Sequence, residues 1–314
     1  MSNNNTLKKY GIIFGALAVI VLVLLFSDFG KKERTFKTNL VEIDTASVTQ
    51  VLIYPKGYNH KEIKLFKDND GVWRVALEKK SVTVPPQKVK GIFTQLLSVK
   101  PTRLAAKSPS KWKEFEVDTS GTRVKILEDD DVTLDLVIGK FSYKQQFRSM
   151  TSFVRLFDED EVYETKGFLS TSFNRDVNTF RNNRLINDDY KNWTRISFDY
   201  PADSSFQMVK IGDKWKAGDV ELDSAKVADY VRQLSRLSSN AFVDELPEGL
   251  STSDFTRRVR IDSEGKREIV LQSFENDKNV IISSSENTES YFNGKSAKLQ
   301  DKIFKGLSSF LGNE

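Results

Sequence analysis

The sequence predicts an α+β protein with an N-terminal transmembrane helix followed by two repeated modules, each a mainly antiparallel sheet with a packed helix. Three observations predict it. Sixteen consecutive apolar residues run from Gly11 to Phe26. Two long stretches beyond them repeat one order of strand, turn, tryptophan, helix and strand. Within each stretch, short runs alternate apolar and polar residues with period two and one longer run has helical spacing, the marks of strands and of an amphipathic helix.

The apolar run comes first. At ~1.5 Å per residue it makes a rod of about 24 Å, close to the ~30 Å hydrocarbon core of a bilayer. Tyr10, Ser27 and Phe29 extend it at the interfaces, and Lys8 and Lys9 snorkel from one end. The expected layout is a cytoplasmic tail over 1–9, an anchor over 10–29 and a polar linker over 30–40. A cleaved leader would end in a small-x-small pair, whereas this run ends in Ser27-Asp28-Phe29-Gly30-Lys31-Lys32. The chain contains no cysteine, which excludes lipidation through a thiol and all disulfides. Lys31, Lys32 and Arg34 balance Lys8 and Lys9, so the positive-inside rule is nearly neutral. The short N-terminal tail resembles a signal anchor and places the large domain across the bilayer. In a bacterium this means a single-pass inner-membrane protein facing the periplasm.

Composition supports folded cores beyond the anchor. Hydrophobic residues make up 39% and aromatic residues 11%, too many for a disordered chain. The net charge of +4 comes from Lys and Arg dispersed among acids. Nucleic-acid binding would need clustered basic residues interleaved with aromatics, so no nucleic-acid partner is expected.

The first module is expected over 41–165 and the second over 192–314. Val51-Leu52-Ile53-Tyr54-Pro55 corresponds to Ile196-Ser197-Phe198-Asp199-Tyr200-Pro201. Ile63 to Lys67 corresponds to Phe206 to Lys210, and each leads through a polar turn to a tryptophan, Trp73 or Trp215, as a hairpin does. A helix over 87–97 follows Pro85-Pro86, where proline suits a helix start. Its counterpart over 225–234 has Asp223 and Ser224 as capping residues. Val89, Ile92, Phe93, Leu96 and Val99 match Val227, Tyr230, Val231, Leu234 and Leu237 at one constant offset, so each helix covers its own sheet. Strands then resume at Thr122–Ile126 and Arg257–Ile261, at Thr133–Ile138 and Glu268–Leu271, and at Phe153–Phe157 and Val280–Ile282. The segment 166–191 carries Phe168, Leu169, Phe173 and Phe180, too apolar for a free linker, and is expected to join the modules with a short helix over 167–173. Leu299, Ile303, Leu307 and Phe310 predict an amphipathic helix over 298–311.

Chemistry is sparse in this inventory. Acyl-transfer triads need a histidine base, and the only histidine, His60, falls in an inter-strand loop. One histidine and no cysteine exclude the usual zinc and transition-metal sites. Glu128 to Asp131 and Asp158 to Glu161 are carboxylate clusters that read as hairpin tips, since the repeat-related tip at Ser263 to Lys266 is not acidic. Asp68-Asn69-Asp70-Gly71 resembles part of a calcium loop, but Phe66 and Leu77 occupy ligand positions, so it reads as a turn. Ser110-Lys111-Trp112-Lys113 has the serine-x-x-lysine spacing of penicillin-interacting enzymes without their partner motifs. Trp73 and Trp215 read as anchors beneath the helices rather than sugar platforms. The expectation is no enzyme, no cofactor and no metal site.

The anchor Gly11 to Phe26, the Gly71-Val72-Trp73 turn, the helix from Lys88-Val89 to Leu96-Leu97 and the segment Phe180-Arg181-Asn182-Asn183-Arg184-Leu185 together resemble the bacterial domain-of-unknown-function family 4340. Proteins of that kind are typically encoded beside ABC-transporter permeases of the gliding-motility type. The resemblance implies a non-enzymatic periplasmic accessory subunit, with an ABC-type permease or other inner-membrane complex as partner and the bilayer contacted through 10–29. It carries over no functional residue. The competing expectation is an envelope module binding peptidoglycan or polysaccharide.

Overall fold

Two nine-stranded antiparallel sheets organise the chain in a computed structural model that describes residues 37–145, 148–247, 250 and 254–312. The expected anchor at 10–29 lies outside the described residues. Among those described, no helix is long and apolar enough to cross a membrane.

The first sheet comprises β1 (Val48–Tyr54), β2 (Ile63–Lys67), β3 (Trp73–Ala76), β4 (Ser81–Thr83), β5 (Pro101–Ala106), β6 (Thr122–Glu128), β7 (Asp131–Lys144), β8 (Ser149–Leu156) and β9 (Val162–Lys166). Its spatial order is β4-β3-β2-β1-β6-β7-β8-β9-β5. The second comprises β10 (Trp193–Asp199), β11 (Phe206–Ile211), β12 (Lys214–Ala217), β13 (Val220–Glu221), β14 (Phe242–Val243), β15 (Arg257–Ser263), β16 (Ile269–Glu275), β17 (Val280–Ser284) and β18 (Asn287–Asn293). Its order, β13-β12-β11-β10-β15-β16-β17-β18-β14, is the same topology. In each copy the chain leaves one sheet edge, crosses the core face as a helix and returns as the strand on the opposite edge. These helices are α1 (Pro86–Leu97) and α2 (Ser224–Ser235).

Duplication extends to register. Ile53 faces Ile63 on one side and Val124 on the other, and Phe198 stands identically between Phe206 and Val259. Both central pairs slip at the same place, between Val48 and Gln50 and between Trp193 and Arg195. The skipped residue is a threonine each time, and its hydroxyl reaches across the bulge: Thr49 Oγ1 to Leu127 O at 3.4 Å, Thr194 Oγ1 to Asp262 O at 3.3 Å. A bulge leaves one residue unpaired, and a short side chain with its own donor suits that position.

The helices seat as their spacing requires. Pro86 opens α1, and Asp223 caps α2 by accepting from the Ala225 and Lys226 amides at 2.9 and 3.0 Å. Val89, Ile92, Phe93 and Leu96 are buried in the first core, Val227, Tyr230, Val231 and Leu234 in the second. Each such side chain withdrawn from water contributes about 1.5–3 kcal/mol.

The segment between the modules divides rather than bridging as one piece. Leu169, Phe173 and Phe180 complete the first core, whereas Leu185 and Ile186 enter the second. Its helix spans only Ser170–Phe173, and a 3₁₀ turn follows over Val177–Phe180. The C-terminus repeats this arrangement, with a helix over Leu299–Ile303 and a 3₁₀ turn over Leu307–Phe310. The continuous helix expected over 298–311 is therefore broken. Phe304 leaves helical geometry and Gly306 is extended, which lets Phe310 turn back into the core where Phe180 sits in the first copy. Lys88 Nζ donates to the Arg181 carbonyl at 2.6 Å, and Lys226 Nζ donates to the matching Leu311 carbonyl at 2.6 Å.

The first module adds something the second lacks. Its β7 has 14 residues against 7 in β16, so the β7–β8 hairpin projects beyond the sheet. At its root the Gly139 backbone lies so near the short helix Trp112–Phe115 that a Cβ there would stand 2.1 Å from the Phe115 carbonyl oxygen. A small apolar cluster of Val117, Val137, Phe153 and Val162 forms beneath that helix, on the face away from α1. Arg155 seals it, stacking 3.7 Å from the Trp112 ring and donating to the Val117, Phe157 and Glu159 carbonyls.

Candidate functional site: the joint between the modules

Glu289, on β18 of the second module, reaches the free edge of the first sheet. Its carboxylate accepts from the Thr83 amide in β4 and from Arg74 Nη2 in β3, both at 2.7 Å. Lys80 Nζ donates to the Glu289 carbonyl at 3.1 Å. The edge strand thus has a partner for its open amide, as buried or half-buried sheet edges require. A second contact lies where the chain leaves the first module. Arg181 is completely buried, donates through Nη1 to Asp244 at 2.7 Å and to Asn178 at 3.2 Å, and stacks 3.9 Å above the Phe242 ring. Its Nε and Nη2 have no acceptor. Lys79 closes the remaining side on Glu245 at 2.6 Å.

These contacts flank a cleft of about 840 Å³ lined by Tyr58, Lys61, Leu77, Lys79, Asp244 and Glu245 among others. Its charges pair within the wall, as in Lys61–Glu78 at 2.7 Å, so neither sign dominates. Such a wall can accommodate shear between two bodies or a mixed-charge surface. Among the described residues its lining has no serine, cysteine or histidine.

Electrostatics tie the joint to pH. Burial opposes the charge on Glu289, but the Thr83 amide and the Arg74 guanidinium outweigh it and hold its carboxyl below the ordinary 4.5. A carboxyl lowered by folding stabilises the fold at pH above its unfolded value and loses that contribution as pH falls through the lowered one. The joint is therefore expected to loosen below about pH 4.5, and Glu289→Gln to loosen it already at neutral pH. The chain has no cysteine, so labels at Asn69→Cys and Asp213→Cys report the inter-module distance directly. A distance distribution unchanged both by acid and by Glu289→Gln would refute this.

The residues singled out in the sequence do not converge here. His60 is exposed in a left-handed turn at φ 55°, near the cleft mouth formed by Tyr58 and Lys61. Asp129 and Asp130 form the β6–β7 tip, and Asp158 to Glu161 form the β8–β9 turn. Among the described residues no group of His, Asp or Glu is arranged to hold a metal ion. Asp68 Oδ1 accepts from the Asp70 and Val72 amides at 3.1 and 2.9 Å, an Asx turn that consumes the carboxylate. Ser110 and Lys113 are exposed, and Ser110 Oγ lies 3.1 Å from Ser108 Oγ. Trp73 is half-buried edge-on to Phe93 of α1 at 5.9 Å, and Trp215 packs against the second core. Sequence reasoning missed Glu289, which carries no local signal, and the role of Arg181, visible only as part of Phe180-Arg181-Asn182-Asn183-Arg184-Leu185.

A family model described as Domain of unknown function (DUF4340) matches residues 73–253, more than half of the chain. The chain belongs to this family. The match opens at Trp73, runs through α1 and the joint, and closes beyond α2, so in this DUF4340 member it straddles both copies and includes Arg181 and Asp244. No curated protein and no solved structure matches the chain.

Proposed function

We propose that this DUF4340 member is a non-enzymatic, membrane-anchored accessory subunit of an ABC-type transporter or gliding-motility-like envelope complex, with its two modules in the periplasm. The observation that carries the reading is the uninterrupted apolar run Gly11 to Phe26 set ahead of two copies of one module. A tether of that length holds a large domain at a bilayer surface. Two packed modules meeting at a mixed-charge cleft suit binding, and the joint gives them a point of relative movement. Crosslinking in native membranes followed by pull-down is expected to recover an ABC permease. Reproducible recovery of other membrane proteins without one would overturn the assignment. Protease added outside spheroplasts is expected to digest the chain beyond Lys31, and full protection would reverse the orientation.

A further inference from the structure

Both modules pass through the same turn just before their first strand, and only the second uses it to fill a groove. Asp44 Oδ1 accepts from the Ala46 amide at 3.0 Å, and Asp189 Oδ1 accepts from the Lys191 amide at 3.1 Å. The second strand of each sheet reaches back to the turn. Lys67 Nζ donates to the Ala46 carbonyl at 2.9 Å, and Lys210 Nζ donates to the Lys191 carbonyl at 3.4 Å. Lys67 stands opposite Trp73 in the sheet, and Lys210 stands opposite Trp215. Thr45 and Tyr190 therefore hold equivalent places in the two copies.

What those two residues do differs. Tyr190 is half-buried against the second core, and its 3₁₀ turn, Tyr190–Asn192, lies against α2. Thr45 is exposed and too short to do the same. It leaves the first module with a groove of about 410 Å³, lined by Thr45, Trp73, Val89, Lys90, Phe93 and Leu97 among others. The helix side is also more apolar here. At the constant offset between the helices, Phe93 and Leu97 stand where α2 has Val231 and Ser235, and Leu97 is left 45% exposed. An exposed leucine beside an unfilled groove with an aromatic wall marks a binding surface.

The second module shows what closes such a groove: one tyrosine ring carried on a polypeptide turn. Charge narrows the occupant further. None of the described residues that line the groove is acidic. Its helix α1 carries Lys88 and Lys90 and no acid. Lys88 is turned to the Thr179 and Arg181 carbonyls at 2.7 and 2.6 Å, which leaves Lys90 as the cation of the groove. Where Lys90 stands, α2 has Ala228. Asp44, next to Thr45, commits its oxygens to the Ala46 amide and the Ser47 hydroxyl. We propose that the groove between Trp73 and α1 docks a protein partner that inserts one aromatic side chain with a carboxylate beside it. The inference rests on the difference between the two copies and not on the anchored reading above.

The test uses the full chain in its native membrane, with an aliphatic diazirine amino acid at Gly91, beside Lys90, where a Cβ meets nothing within 4 Å. The same label is placed, separately, at Asp229, the matching position of α2. A polypeptide adduct is expected at position 91 and not at 229. Thr45→Tyr, which supplies the ring from the chain itself, is expected to cut the yield at least tenfold without lowering the unfolding midpoint, and Thr45→Ser to retain it. Lys90→Glu is expected to cut it severalfold, and Lys90→Arg to retain it. Adducts with lipid, with residues 1–36 or with a second copy of the chain would each overturn the proposal. So would equal labelling at both positions, indifference to Thr45→Tyr or to Lys90→Glu, or no adduct. A polypeptide adduct that both variants suppress and that is not a permease would sustain it and count against the transporter assignment. A permease that co-purifies undiminished with the Thr45→Tyr chain would do the opposite.

Discussion

Phe310→Ala is expected to destabilise the second module by about 3–5 kcal/mol and to leave the first close to its original stability. Phe310 is 1% exposed, with the Phe198, Phe206 and Tyr230 rings at 6.0, 6.2 and 5.1 Å. Its carbonyl also receives the Asp223 amide at 2.8 Å, so the same residue plugs the core and ties the chain to the start of α2. Truncation opens a ring-sized cavity among three aromatic side chains that cannot collapse without moving α2 or β10. Phe180→Ala is the mirror experiment, because Phe180 closes the first core in the same way. Hydrogen exchange resolved by module, in mild denaturant, reads both. Protection is expected to fall in β10, β11 and α2 for the first variant and in β1, β2 and α1 for the second. Equal losses in both sheets would show that the modules unfold as one unit and would remove the independence that the duplicated cores imply.

How far the fold was legible depended on burial. Strands at the sheet centres, such as Val124 and Ile126 in β6 or Val259 and Ile261 in β15, alternate buried and half-exposed residues and show period two plainly. The helices were legible for the same reason, since Val89 to Leu96 and Val227 to Leu234 must each cover a sheet. The edges were not. β5 begins with a proline and has exposed Thr102 and Arg103 at its centre, and β13 has only Val220 and Glu221, both exposed. Such strands are held by one neighbour and need no apolar rhythm of their own. β18 escaped notice because only Phe292 among its buried positions is apolar, while Asn287 and Ser290 are polar, Asn287 Nδ2 donating to the Asn182 and Arg184 carbonyls at 2.9 Å each. The repeat itself runs further than the strand pattern suggests. Leu40 and Leu185 are buried ahead of their respective first strands, and the C-terminal segment closes its module as 169–180 closes the other.

The candidate site was less legible, for a different reason. Glu289 meets Arg74 and Thr83 only because the second module lies against the edge of the first, and nothing near residue 289 announces it. The hairpin extension did leave a trace: the apolar runs on either side of it are farther apart in the first copy than in the second. Once two copies are aligned, a length difference confined to one loop marks residues the shared fold does not require, and these are the places where exposed Phe141 and Tyr143 concentrate.

Arg181 offers the second large effect, and two substitutions there are expected to part company. Arg181→Ala removes a buried guanidinium stacked on Phe242 and leaves a void at the joint. Breaking a buried ion pair by deleting one member typically costs about 3–5 kcal/mol. Here the partner Asp244 keeps 56% of its side chain in solvent, so it rehydrates and the loss lies at the lower end, chiefly from packing. Arg181→Met keeps most of the stem volume and discards two nitrogens that have no acceptor, each a burden of about 1–3 kcal/mol. It is expected to be near neutral or stabilising by chemical denaturation. What methionine cannot supply is direction, because a planar donor held between Asn178 and Asp244 sets the angle at which one sheet meets the other. With labels at Asn69→Cys and Asp213→Cys, Arg181→Met is expected to broaden the inter-module distance distribution while stability holds. A narrow distribution in that variant would assign the orientation to Glu289 and β4 instead, and would reduce Arg181 to a space-filling residue.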